Sequence, residues 1–283
     1  MPLRRRPQEG AAHSGASPAA GAGFSAAGSW KAIPLMKEAD SMQNKRTWKP
    51  TKFVRVDHRW RASRDPKEVA IASRLIGDLI ASFYQEAIEQ YAVGRLVDLG
   101  CGKAPLYGMY QDRTDSVVRV DWEESLHGSE FVDHKMDLNC PLEFTDESFD
   151  TVLSTDVLEH IREPMHFWSE MARICKIGGH VILGTPFLYW IHEHPYDYAR
   201  YTKYNLIYEC ERHGLGVISI KEYGGAPEVI FDLLIKTMRK HARTCSIMDK
   251  MAHCLLGLPS IKRCSKKSRH LFPLGYCMVA VRL

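Results

Sequence analysis

Residues 95–102 limit what this chain can fold into more than any other stretch. Arg95-Leu96-Val97-Asp98-Leu99 is a short, branched apolar run that carries an acid, and Gly100-Cys101-Gly102 follows at once. Such a run, too short for a helix and opening onto a glycine turn, reads as a buried strand. Two glycines one residue apart let the backbone turn tightly and approach a ligand closely. An acid at the strand end, in place of a long phosphate-cradling loop, points to a ligand with a cationic or hydroxyl-bearing part.

The surrounding chain alternates between the two periodicities. Asp65, Pro66 and Glu68 read as the N-cap, first position and capping-box acid of a helix. Val69, Ile76, Leu79, Ile80, Phe83, Ala87, Ile88 and Tyr91 then recur at helical spacing, and Gly94 supplies the stop. Strands are expected at 95–98, 117–121, 130–133, 149–154, 180–185, 216–222 and 276–282, with helices near 103–111, 164–176 and 203–213. Alternation of this kind implies an α/β fold, a mainly parallel sheet covered on both faces. Ligands of doubly wound sheets bind outside the carboxyl ends of the strands, where strand order reverses. The interval 224–275 reads as a basic helical insertion before the last strand. From 236 to 269 it carries Lys236, Arg239, Lys240, Arg243, Lys250, Lys262, Arg263, Lys266, Lys267 and Arg269 against one acid, Asp249.

Composition narrows the class. With 283 residues, 45% of them apolar and 25% charged, the chain is sized for one large α/β domain with extensions. A net charge of +4 is too small to argue for nucleic acid, and no recognised module accompanies it, so a nucleic-acid partner is not expected. None of the eight cysteines forms a Cys-x-x-Cys pair, and they read as reduced thiols of a cytoplasmic protein. No apolar run reaches the ~20 residues of a membrane span. Residues 1–29, rich in Ala, Gly, Ser and Pro, are expected to be disordered. Residues 30–64 are a basic, aromatic arm, read either as a cap on the domain at 65–283 or as a poorly ordered extension.

Several further pieces follow the glycine turn in order. Val117-Val118-Arg119-Val120 ends in Asp121, and an acid at the end of a second strand can accept both hydroxyls of a ribose. Trp122 can lie against an adenine face, and Asp137-Leu138-Asn139 is a polar turn able to meet an adenine edge. Asp98 through Ala104 resembles the first motif of class I S-adenosylmethionine (SAM) methyltransferases, Asp-x-Gly-x-Gly-x-(Gly/Ala). Phe149-Asp150-Thr151-Val152 through Val157-Leu158-Glu159-His160 resembles a second segment of that family, and Ile177-Gly178-Gly179 its strand entry, with Ile in place of Pro. The resemblance spans roughly 65–223 and the final strand. It implies a doubly wound, seven-stranded, mostly parallel sheet with an antiparallel last strand. It also implies SAM as cofactor, held by Asp98, Gly100, Cys101, Gly102, Asp121, Trp122, Asp137, Leu138, Ser154 and Thr155. The bland alternative makes Asp98 and Asp121 helix-capping carboxylates and Trp122 a core residue. A dinucleotide fingerprint would need glycine where Pro105 stands, and the Gly-Lys-Ser/Thr of a P-loop is absent.

Residues 185–202 hold a second dense region, with two histidines, an arginine and six aromatics. They resemble the Pro-Phe-x-Tyr-x-x-His-x-x-Pro-x-Asp-Tyr-x-Arg stretch of a methyltransferase subgroup found with glycan and other secondary-metabolite biosynthesis. That resemblance implies a substrate wall with Tyr189, Tyr198 and Arg200 as substrate contacts. His192, His194, Asp197 and, from the preceding loop, His160 are the catalytic candidates. The alternative is a packed loop held by an Asp197–Arg200 pair, with Tyr201 in the core and His160 as a capping histidine. His192 and His194 could also suggest a metal, but no third ligand stands out at a fixed spacing, and none is expected.

SAM carries an activated methyl, so the protein mainly has to orient an acceptor behind it. Ser154-Thr155-Asp156-Val157 is not the Asn/Asp-Pro-Pro-aromatic loop of amide-nitrogen methylation, and no Pro-Cys nucleophile is present. O-methylation of a small-molecule or glycan hydroxyl is the expected reaction, with a histidine as base. The competing expectation is a non-catalytic SAM-binding scaffold. Residues 228–269 could rest on an anionic membrane surface, making the protein membrane-peripheral, could bind an acidic substrate, or could be a solvated lid face.

Overall fold

The computed structural model describes residues 47–125 and 128–283. The segment expected to be disordered, 1–29, and the arm up to residue 46 lie outside the described residues. From residue 47 the chain forms a hairpin of β1 (Phe53–Val56) and β2 (Arg59–Ala62). The long helix α1 (Ile71–Tyr91) follows, then β3 (Arg95–Leu99), the single turn α2 (Tyr107–Tyr110), β4 (Ser116–Asp121) and the two-residue β5 (His134–Lys135). Next come β6 (Phe149–Thr155), a 3₁₀ turn at Leu158–His160, α3 (Pro164–Ile174), β7 (Cys175–Pro186), α4 (Lys203–Arg212) and β8 (Leu215–Tyr223). Three helices, α5 (Ala226–Thr237), α6 (Ala242–Leu256) and α7 (Pro259–Ser268), precede the last strand, β9 (Gly275–Arg282).

Seven strands make one sheet in the order β5-β4-β3-β6-β7-β9-β8. Neighbours from β5 to β7 are parallel, and β9 is antiparallel to both β7 and β8, so only the last strand opposes the rest. Leu96, Val97, Asp98 and Leu99 are all buried, as a central strand covered on both faces requires. One face packs Phe167, Trp168 and Met171 of α3 with Leu206 and Cys210 of α4. The other packs Ile80, Tyr84 and Ile88 of α1 with Phe53 and Tyr110. The strand order reverses between β3 and β6. Helices α5 and α6 dock on the start of α1 through Ala72, Leu75, Ile235, Cys245 and Ala252. Among the described residues no helix is long and apolar enough to cross a membrane.

Three elements differ from the pattern read in the sequence. The first helix starts at Ile71, not Asp65. Asp65 caps only one turn, accepting from the Lys67 N–H at 2.9 Å on its side chain and from Val69 on its carbonyl. Ala70 is then extended (φ −56, ψ 144) and breaks the run, so that Glu68, Val69 and Ala70 line a cavity instead of extending α1. The third strand falls at 134–135, not 130–133. Asp133 accepts from the Arg119 N–H at 2.8 Å and pairs with its guanidinium, which holds Phe131 and Val132 as a buried turn. Helix 103–111 shrinks to 107–110, because Ala104 takes a left-handed backbone (φ +49).

Candidate active site

A cavity of about 660 Å³ opens outside the carboxyl ends of β3, β4 and β6, where the strand order reverses. The glycine turn forms one edge. Gly100 and Cys101 donate to the Val120 carbonyl at 2.8 and 3.0 Å, and Gly100 and Gly102 have φ of +75 and +50. A Cβ on Gly100 would lie 2.3 Å from Val157 Cγ2, so no side chain fits there. Asp121 fastens the turn, accepting from the Gly102 N–H on Oδ2 at 2.6 Å and from the Trp122 N–H on Oδ1 at 2.7 Å. The Ser125 hydroxyl also lies 3.4 Å from Oδ2.

Asp98 lies deeper and takes the Tyr110 hydroxyl hydrogen at 2.9 Å. Burial pushes its carboxyl up to about 7, against the Tyr110 bond and the Arg119 charge. Trp122 stands edge-on to Tyr196 with ring centroids 5.0 Å apart. Asp137 accepts from the Asn139 N–H at 2.9 Å, and both flank Leu138 on the wall. Cys101 and Thr155 also line the cavity. Ser154 does not. It points into the sheet with its hydroxyl buried, because β6 alternates and Thr155 takes the outward place.

The opposite wall comes from the loops after β6 and β7. Glu159 is fully buried, with the Thr185 hydroxyl 3.4 Å from Oε2. Burial, with the Asp156 charge nearby, pushes its carboxyl well up. His160 and His192 face each other with ring centroids 4.8 Å apart, and both line the cavity with Glu159. Burial and the neighbouring His160 lower the His192 pKa. Tyr189, Trp190, Tyr196 and Tyr198 complete the wall.

Besides Ser154, three residues expected in the site stand elsewhere. His194 is exposed and does not line the cavity, because the chain turns at Glu193 and only His192 faces inward. Asp197 and Arg200 are bonded to each other through both guanidinium nitrogens, with Arg200 also donating to the Trp190 carbonyl at 3.2 Å. Burial works against the charge on Asp197, but Arg200 and the His192 N–H outweigh it and hold the carboxyl at about 2. This pair braces the loop behind the wall, and Tyr201 is buried beside it.

Other residues enter that the sequence reading passed over. Asp156, with φ +56, receives Lys52 Nζ at 3.0 Å and the Tyr84 hydroxyl at 3.2 Å, tying the N-terminal hairpin and α1 to the cavity. Glu159 is the largest omission. Its place in the Val157-Leu158-Glu159-His160 segment was the available signal. Nothing local marks Tyr84 or Lys52, which arrive from 72 and 104 positions away.

Comparison with known proteins gives the region a family. Residues 97–183 match the family model described as a methyltransferase domain. The chain is 30% identical over 105 residues to a phosphatidylethanolamine N-methyltransferase of Cereibacter sphaeroides, covering 33% of this chain and 51% of that one. It is 27% identical over 108 residues to a ubiquinone biosynthesis O-methyltransferase of Parvibaculum lavamentivorans, covering 35% and 43%. The matches thus span about half the length of these relatives or less. A solved S-adenosylmethionine-dependent methyltransferase from Mesorhizobium loti is 15% identical with a TM-score of 0.49, over 74% of this chain and 100% of that one. Residues 97–183 are thus similar to a methyltransferase domain, a family that uses SAM as cofactor. The cavity's lining fits that cofactor: a glycine cradle with no room for a Cβ, a buried carboxyl at Asp98 and a second strand-end carboxylate at Asp121.

Proposed function

We propose that this chain is an active methyltransferase that moves a methyl group from SAM to a hydroxyl of a small-molecule or glycan acceptor. One observation carries the reading. The two strand-end acids of a cofactor site and a cluster of Glu159, His160 and His192 face one cavity from opposite walls. Bound SAM supplies a methyl on a sulfonium, already activated for attack. The chain's own residues do the rest. Asp121, with Trp122 and Leu138, suits the nucleoside end, and Asp98, at the glycine turn, suits a polar or cationic group. Tyr189, Trp190, Tyr196 and Tyr198 offer flat apolar faces that exclude water and orient an acceptor, which is the main catalytic task when the methyl is already activated. The Glu159–His160–His192 cluster lines the same cavity and suits removal of a proton from an acceptor hydroxyl.

The test is transfer of radiolabelled methyl from SAM into cell extract, separated into lipid, glycan, protein, nucleic-acid and small-molecule fractions, with Asp98→Ala protein as the blank. Label above the blank in the glycan or small-molecule fraction supports the reading. Retained SAM binding with no label in any fraction supports the scaffold alternative.

A second acceptor class has an observation of its own. Ile230, Leu233 and Leu234 are exposed on α5, and the rest of the insertion, 239–269, carries nine Lys or Arg against one acid. Such a surface suits contact with an anionic bilayer and a lipid acceptor. One of the relatives is itself a phospholipid methyltransferase. Label confined to the lipid fraction, with the protein pelleting with anionic vesicles, favours this reading.

A further inference from the structure

Three hydrogen-bond acceptors converge on one point of the acceptor wall. Glu159 is completely buried, and its Oε1 makes no hydrogen bond. His192 Nε2 lies 3.7 Å and His160 Nε2 3.8 Å from that same oxygen. All three atoms fall within 4.8 Å of one another. The second ring nitrogen of His160 is already committed. His160 Nδ1 is 2.7 Å from the Tyr196 carbonyl oxygen, which can only accept, so the ring proton belongs on Nδ1. His192 Nδ1 faces Asp197 Oδ2 at 3.2 Å, a carboxylate braced by Arg200. With the His160 proton on Nδ1, its Nε2 presents a lone pair toward Glu159 Oε1, and His192 Nε2 faces the same oxygen. Two ring nitrogens and a buried, unbonded carboxyl oxygen gathered this closely form a donor set that a cation can bridge.

We propose that Glu159, His160 and His192 bind a divalent first-row transition-metal ion of the zinc type. Two imidazoles and one carboxylate are the donor set of open, three-ligand zinc sites, and imidazole nitrogen disfavours magnesium or calcium. A tetrahedral ion with bonds of about 2.1 Å places its ligand atoms roughly 3.4 Å apart. The two separations to Glu159 Oε1, 3.7 and 3.8 Å, lie close to that value. Metal-bound histidines characteristically donate their other N–H to a carbonyl or carboxylate, and Tyr196 and Asp197 are placed for that task. A second carboxylate is close, with Glu193 Oε2 3.9 Å from His160 Nε2. The remaining coordination position faces the cavity, since all three ligands line it.

The ion's role, though not its binding, rests on the methyltransferase reading. An acceptor hydroxyl in the open position becomes more acidic, and its proton leaves to cavity water. Its oxygen then bonds to the methyl carbon as the sulfur–carbon bond breaks, the electron pair staying on sulfur. The imidazoles act as ligands here and not as the base. His192 and His194 could not declare this site, because the actual partners of His192 lie 32 and 33 positions before it.

The test uses the full chain, stripped with a chelator and titrated with Zn²⁺ by calorimetry and with Co²⁺ by visible absorption. SAM binding is measured on the same preparations. The expected result is one equivalent of ion and cobalt bands of a low-coordinate N/O site. Glu159→Gln, His160→Ala and His192→Ala should each lower affinity at least roughly 100-fold, while His194→Ala leaves it unchanged. X-ray absorption of the zinc-loaded wild-type protein keeps the proposal falsifiable if a variant misfolds. Imidazole and oxygen neighbours support it, whereas a sulfur shell, which the exposed thiols of Cys140, Cys254 or Cys264 would supply, overturns it. Absence of stoichiometric binding, or affinity that survives the ligand substitutions in folded protein, also overturns it. Ion binding without SAM binding would leave this site standing and remove the methyltransferase reading, and SAM binding without ion binding would do the reverse.

Discussion

Asp98 sits 2% exposed at the end of β3, with a pKa of about 7 where 3.8 is usual. A carboxyl raised by folding holds a proton that the unfolded chain releases. Stability therefore falls as pH rises from about 4 to about 7, and this contribution is flat above that. Asp98→Asn should remove that slope from thermal melts recorded between pH 5 and 8. A cationic ligand group prefers the ionised form, so SAM should bind more tightly as pH rises to about 7, and the variant should lose that dependence. Gly100 is as constrained as Asp98, though sterically. Gly100→Ala adds a left-handed backbone cost of roughly 1–2 kcal/mol and a clash with Val157. It should weaken SAM binding in calorimetry by more than tenfold with the fold retained.

Strand β7 and helix α1 meet where Gly184 leaves room for Tyr84. A Cβ at 184 would sit 2.1 Å from the Tyr84 oxygen, and Tyr84 is buried on all sides. Gly184→Ala should cost about 1–3 kcal/mol in urea unfolding, and Tyr84→Phe should recover part of that loss in the double variant. On α5, Asp232 and Lys236 form a buried i,i+4 pair, with the ammonium 3.7 Å from the centre of the Tyr189 ring. Burial lowers the Lys236 pKa to about 8, its partner pulling the other way. This pair couples the basic insertion to the acceptor wall. Asp232→Asn strands a buried cation and should destabilise by about 3–5 kcal/mol, while replacing both partners with Leu and Met should restore most of it. The same urea titration reads both.

The N-terminal hairpin and its flanking residues close the cofactor side of the molecule. Trp48 donates to the Ala104 carbonyl at 3.2 Å, and Trp48 and Trp60 occupy the space that a side chain on Gly108 would need. Lys52 then reaches Asp156 on the cavity wall. The glycine turn is thus clamped from outside by a segment that contributes no strand to the main sheet. Removing both indoles, Trp48→Ala with Trp60→Ala, should loosen the turn and weaken SAM binding about tenfold, or ~1.4 kcal/mol. Far-ultraviolet circular dichroism should stay close to wild type, because the seven-stranded sheet is untouched.

The sequence by itself determined the alternation of strands and helices, the parallel sheet and the place of the glycine turn. These follow from apolar period and from glycine and acid at fixed offsets, which depend on neighbours along the chain. Local signals also misled where tertiary contacts outweighed them. Asp65 caps a turn that Ala70 ends, and Asp133 spends residues 131–133 on holding Arg119. Only the tertiary structure decided that β9 slots between β7 and β8, that Gly184 makes room for Tyr84, and that Asp197 braces Arg200 behind the wall. It also decided which histidine of the pair faces inward and what it meets there. The physical reason is common to all of these. Each is a contact between residues tens of positions apart, settled by how covered sheet faces pack, and no local period encodes which distant side chain fills a given space.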